Sequence, residues 1–160
     1  MRAFVMLAPV LVLCLVCSFT VRALAAESPA GSTCPELATQ WTLARFDGVE
    51  VHEYPWGWIR WTMNDQLDPN TTMTTGIVYL KPNQTNPMHV HPNSDEILTV
   101  VEGMLEHRLG EGWVKMGPGD TIRIPKGAKH NARTGKQPCK VFVVYNTGQR
   151  QFVPVEEDKR

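Results

Sequence analysis

From about Val49 onward the chain is built of short runs in which apolar and polar residues alternate, cut apart by glycine, proline and asparagine. "VEVHEY" and "WGWIRWTM" come first, then "TTGIVYL", "HVH", "EILTVV", "MLEHRL", "GWVKM", "DTIRI", "CKVFVVYN" and "RQFVPV". A period of two is that of a half-buried strand, and many such runs between turn residues predict an all-β sandwich or barrel. No window keeps a helical period, except for a turn expected near "PELATQWTLARF". There is no internal repeat.

The chain's start departs from this pattern. Residues 1–25, "MRAFVMLAPVLVLCLVCSFTVRALA", carry Arg2, a long apolar run and then small residues at Ala23 and Ala25. They read as a secretory signal cut after Ala25, which predicts a secreted or periplasmic protein with no stable membrane anchor. An uncleaved anchor is the alternative, and Pro9 and the small-residue site favour cleavage. A polar tail at 26–45 and a single barrel domain at 46–155 would follow, a division that suits 160 residues.

Composition narrows the function classes. The 16 basic and 16 acidic residues balance, which removes any electrostatic reason to expect nucleic acid. Loss of Arg2 and Arg22 with the signal leaves the mature chain slightly negative. It also leaves Cys34 and Cys139, which in an exported protein form either one disulfide or two free thiols. Asn70 in "NTT" and Asn83 in "NQT" match the glycosylation pattern.

The candidate chemistry lies in "NPMHVHPNSDEIL". His89 and His91 stand two apart, so on a strand they share a face while Val90 takes the other. Glu96 opens the next run after a short turn, and an antiparallel hairpin return would bring its carboxylate beside the two imidazoles. Two histidines and a carboxylate, with positions left for water or substrate, form a catalytic metal arrangement. His130 follows the turn "PKG", and a second hairpin folded on the first would add it as a fourth ligand.

These residues resemble the cupin family, small jelly-roll barrels whose first motif is G-x5-H-x-H-x(3,4)-E-x6-G. His89, His91, Glu96 and Gly103 fit it, with Asn83 at the leading glycine, a residue that tolerates a left-handed turn. The second motif is G-x5-P-x-G-x2-H-x3-N. Gly119, Pro125, Gly127 and His130 fit it, with Thr134 at the final position and Asn131 nearby. The resemblance implies a double-stranded β-helix that holds one divalent transition metal (Fe, Mn, Ni, Zn or Cu) on His89, His91, Glu96 and His130. It also implies a homodimer joined through edge strands.

Three functions compete. The first is a metal-dependent enzyme acting on a small organic substrate as a dioxygenase, decarboxylase, lyase or isomerase. The second is a non-catalytic barrel that binds a small molecule or carbohydrate. The third is a structural or storage role. His107 shares a strand face with Leu105 and Leu109, so it is either a base facing the barrel interior or a satisfied core histidine. Tyr79, Met88 and Trp113 are candidate pocket walls. Trp56 and Trp58, two apart with Trp61 opposite, either line the substrate site or plug the barrel end. Arg123, between Ile122 and Ile124, should face outward, and no inward cluster of Lys or Arg is evident.

Overall fold

The protein is described here from a computed structural model covering residues 41–156. The expected signal at 1–25, the tail up to residue 40 and Cys34 therefore lie outside the described residues. Every regular element among the described residues is a strand. The strands are β1 (His52–Tyr54), β2 (Gly57–Met63), β3 (Thr74–Leu80), β4 (His89–Val90), β5 (Glu96–Gly103) and β6 (Leu105–Leu109). Then come β7 (Gly112–Met116), β8 (Thr121–Ile124), β9 (His130–Arg133), β10 (Cys139–Tyr145) and β11 (Val153–Pro154). The turn expected near "PELATQWTLARF" is not helical in its described part, where residues 41–45 take no regular structure.

The strands form two antiparallel sheets, β1-β2-β3-β10-β5-β8 and β11-β4-β9-β6-β7. Alternation decides what lies between them. In β3 Thr74, Gly76, Val78 and Leu80 are buried, and in β10 Cys139, Val141, Val143 and Tyr145 are buried. Val78, Leu80 and the four buried residues of β10 join Ile59, Leu98, Val100, Leu105, Met116 and Ile124 in one core. Each fully buried Leu or Val contributes about 1.5–3 kcal/mol. Cys139 belongs to this core, and burial pushes its thiol up to about 11.

One expectation about connectivity is corrected. β4 and β5 do not form a hairpin: β4 pairs with β9 and β11, while β5 pairs with β10 and β8. The turn at residues 92–95 carries the chain across from one sheet to the other. Asp95 secures that crossing by accepting from Lys126 N at 2.8 Å and from Arg123 Nη2 at 2.6 Å. Arg123 thus faces outward, as its flanking isoleucines require. The turn before β9 crosses in the same way, and Gly127 N donates to His91 O at 2.9 Å.

The two departures from the motif are built into one corner. Asn83 sits at φ 55°, the left-handed region its side chain tolerates. Thr134 Oγ1 donates to Lys81 O at 2.5 Å and accepts from Gln84 N at 3.2 Å, which ties the same turn to the end of β9.

Gly103 ends β5 where the chain changes sheet. It has φ +78°, and a Cβ there would lie 2.1 Å from Pro138 O. Gly110 also has positive φ, +58°, but open space around it. Gly103→Ala is expected to cost well over the ~1 kcal/mol expected for Gly110→Ala, because backbone strain and overlap combine. Urea unfolding of both variants checks this, and equal midpoints would contradict the close contact.

Candidate metal centre

His89 and His130 face each other across the β4–β9 pair. His91 follows β4, and Glu96 enters from the other sheet at the start of β5. The four donors lie within 4.8 Å of one another, and all four residues are buried. Glu96 Oε2 stands 3.1 Å from His91 Nε2 and 3.2 Å from His130 Nε2. The four residues named from the two motifs therefore meet at one point, but across the barrel and not within a hairpin.

The protein fixes how the imidazoles are turned. Nδ1 of His89 donates to Pro87 O at 2.8 Å, that of His91 to Gln151 O at 2.7 Å, and that of His130 to Ala128 O at 2.9 Å. A carbonyl only accepts, so the proton of each neutral ring sits on Nδ1 and the Nε2 lone pair points to the centre. His91 Nε2 is buried with no hydrogen-bond partner. Three lone pairs and a carboxylate in one dry space repel each other until a cation enters among them.

The spacing fits such an ion. Two donors about 2.1 Å from one ion at a right angle lie about 3.0 Å apart, close to the separations that Glu96 keeps. Three neutral imidazoles and a carboxylate suit a divalent transition metal without choosing between Fe, Mn, Ni, Zn and Cu.

The environment keeps these groups in ligand form. Burial, aided by the neighbouring His130, pushes His89 down to about 3. Burial opposes the ionisation of Glu96, but the imidazoles of His130 and His91 that face it outweigh burial and hold the carboxyl below its usual range. The Tyr145 hydroxyl also bonds Glu96. Burial first, and then the Glu96 charge, raise the tyrosine well above its normal value, so it remains a phenol that donates.

A cavity of about 270 Å³ opens beside this centre. His89, Glu96 and His130 line it together with Trp56, Trp61, Leu105, His107, Tyr145, Arg150 and Phe152. His107 Nδ1 donates to Arg108 O at 3.1 Å, which leaves Nε2 for the cavity. Burial, then the nearby His130, push His107 down to about 4. It is therefore neutral at pH 7, with a basic nitrogen toward the space a ligand would fill.

Several wall candidates are placed elsewhere. Tyr79 lies on the face of β3 opposite Val78 and Leu80, stacked on Trp58 with ring centroids 5.4 Å apart. Trp113 is on the outer side of β7, under the Arg133 guanidinium at 4.1 Å. Met88 is buried beside His89 but does not line the cavity. Trp56 and Trp58 do not share a face, because Trp56 sits in the turn before β2, where strand alternation has not begun. Trp56 and Trp61 reach the cavity, and Trp58 does not.

The segment after β10 was missed as part of the site. Gln151 supplies the carbonyl that orients His91, and Phe152 stacks on His89 at 4.5 Å. Asn93 holds the segment down: its Nδ2 donates to Gln149 O at 2.7 Å, and its Oδ1 accepts from Gln151 N at 3.0 Å. No cluster of Lys or Arg lines the cavity, but one cation, Arg150, does. Residues 146–152 form no strand, so no alternation signals their direction. Tyr145 was missed too, although it is in phase with the buried Val141 and Val143.

Comparison with known proteins agrees with this geometry. The Cupin domain family matches residues 76–145. A germin-like protein, 9-2 of Oryza sativa subsp. japonica, is 32% identical over 80 residues, an overlap covering 46% of this chain and 37% of that protein. The chain thus spans about a third of the length of that relative. An oxalate oxidase structure superposes with TM-score 0.58 at 26% identity, covering 64% of this chain and 57% of that one. The polyketide cyclase RemF from Streptomyces resistomycificus gives TM-score 0.61 at 22% identity, covering 72% of this chain and 85% of that one.

Metal removal and acid should act together. His89 moves from 6.5 to about 3 on folding, so between those values the unfolded chain binds more protons than the folded one. Stability then rises with pH through that window and is lost as pH falls. Chelator-treated protein should unfold at lower urea at pH 5 than at pH 8, and added divalent metal should raise the midpoint at pH 8. A midpoint indifferent to both pH and metal would contradict the buried neutral ligand set.

Proposed function

This chain belongs to the cupin superfamily, and from that premise we propose that it is a mononuclear metal-dependent enzyme acting on a small organic substrate. The observation that carries the proposal is the convergence of three oriented Nε2 atoms and Glu96 beside a cavity that His89, Glu96 and His130 line together with a further imidazole, His107.

When bound, the metal supplies Lewis acidity toward a substrate oxygen, and a redox-active ion supplies oxygen chemistry as well. The chain's own residues do the rest. His89, His91, Glu96 and His130 hold the ion, and Tyr145 holds Glu96. His107 accepts a proton at Nε2 from a substrate carbon or hydroxyl, as lyase and isomerase reactions require. Its neutral state at pH 7 suits that role. The apolar walls exclude water from the reacting atoms and strengthen electrostatic effects there. The similar proteins include an oxalate oxidase and a polyketide cyclase by name, which supports turnover of an oxygen-bearing organic molecule. Export, through residues 1–25, and pairing into a homodimer belong to the same proposal.

Metal-loaded protein should be incubated with a panel of small carboxylic and hydroxy acids, oxalate included, while dioxygen uptake, carbon dioxide release and substrate spectra are followed. Turnover is expected in the wild type, with a loss of about 10²-fold or more in His107→Gln at unchanged metal content. Turnover unaffected by His107→Gln would remove the base assignment. Ligand binding without turnover in any condition would favour the non-catalytic barrel.

A further inference from the structure

Arg150 is in an unusual position for a cation. Its guanidinium lies 4.6 Å from the Trp61 ring centroid, 5.2 Å from Tyr145 and 5.6 Å from Phe152. Its Nη1 is 3.4 Å from His91 Nδ1. That nitrogen already gives its proton to Gln151 O, so the contact does not satisfy the guanidinium. Among the described residues no carboxylate pairs with Arg150, although it is half-buried and lines the cavity. Three rings within 5.6 Å of its Cζ hold the group in place, and among the described residues its one hydrogen-bond contact is that with His91. A half-buried cation with free donors calls for an anionic partner.

The remainder of the cavity sets what else that partner must be. Arg150 is the only Lys or Arg among the residues lining the cavity, and Glu96, turned to the metal position, is the only carboxylate. Much of the rest of the lining is hydrocarbon, from Ile59, Val78, Leu98, Leu105, Val141 and Val143. At about 30 Å³ per water, 270 Å³ holds about nine waters, enough for a single-ring acid or a short branched one. A second carboxylate on the ligand would find no second Lys or Arg in a lining that is mostly aliphatic and aromatic.

We propose that Arg150 selects the substrate of this site, binding the carboxylate of a small monocarboxylic acid whose apolar body fills the aliphatic part of the cavity. The inference deepens the enzyme reading and rests on it for the metal. His91 connects the cation to the ligand group, since its Nδ1 lies 3.4 Å from Arg150 Nη1 and its Nε2 lies 3.1 Å from Glu96. The guanidinium can meet a ligand carboxylate with two parallel N–H donors. A bidentate, charge-assisted contact of this kind discriminates acid from alcohol better than a lysine at the same place.

Calorimetric titration of the full chain loaded with Zn(II) tests this, with benzoate, benzyl alcohol and oxalate as probes. Wild-type protein should bind benzoate more tightly than benzyl alcohol or oxalate. Arg150→Gln should weaken benzoate by about tenfold or more, leaving zinc content and benzyl alcohol affinity unchanged. Arg150→Lys should fall between the two. Benzoate affinity indifferent to Arg150→Gln overturns the proposal, as does a preference for oxalate or for the alcohol, or no benzoate binding. If zinc does not bind but benzoate still depends on Arg150, the metal reading fails and this one stands. If zinc binds and benzoate ignores Arg150, this one fails alone.

Discussion

Three backbone carbonyls, those of Pro87, Ala128 and Gln151, decide the chemistry of this barrel, because each accepts the Nδ1 proton of a ligand histidine. Each bond fixes a tautomer and a ring orientation, and together they aim three lone pairs at one point. The carbonyls come from three separate stretches of chain, so the site exists only when the stretch before β4, the turn before β9 and the segment before β11 are all in register. Metal affinity and fold are thereby coupled. The centre is repulsive alone, and the hydrocarbon core around it supplies the stability that keeps it assembled.

The same logic explains residues that touch no metal. Asp95 and Thr134 pin the turns that deliver ligands, Asp95 through Lys126 and Arg123, Thr134 through Lys81 and Gln84. Asn93 pins the late segment that carries Gln151, Arg150 and Phe152. That segment supplies an orienting carbonyl, a cation and an aromatic ring within three consecutive residues. Arg150 and Phe152 of this segment line the cavity.

The strands were legible because period-two alternation is a direct record of burial: Val78 and Leu80 in, Tyr79 out. The grouping of His89, His91, Glu96 and His130 was legible because alternation puts the first two on one face and the two motifs carry the others. Other features were not. β9, "HNAR", is buried on a polar pattern, because His130 serves the centre and Asn131 is itself buried. The hairpin assumed between His91 and Glu96 failed because sequence gives the length of a turn but not which sheet receives the next strand. Tyr79 and Trp113 were proposed as walls for being aromatic, yet phase puts them outside. Arg150 was invisible because irregular backbone has no period, and only the tertiary path brings it over the ligand histidines.

The central claim is that His89, His91, Glu96 and His130 form one metal site oriented by backbone carbonyls. The most direct test is elemental analysis of the protein purified without chelators, beside the His89→Ala/His91→Ala double variant. The account predicts about one equivalent of a single transition metal in the wild type and a trace in the variant, with both proteins folded. Equal metal in the two, or none in the wild type even after reconstitution, would contradict it.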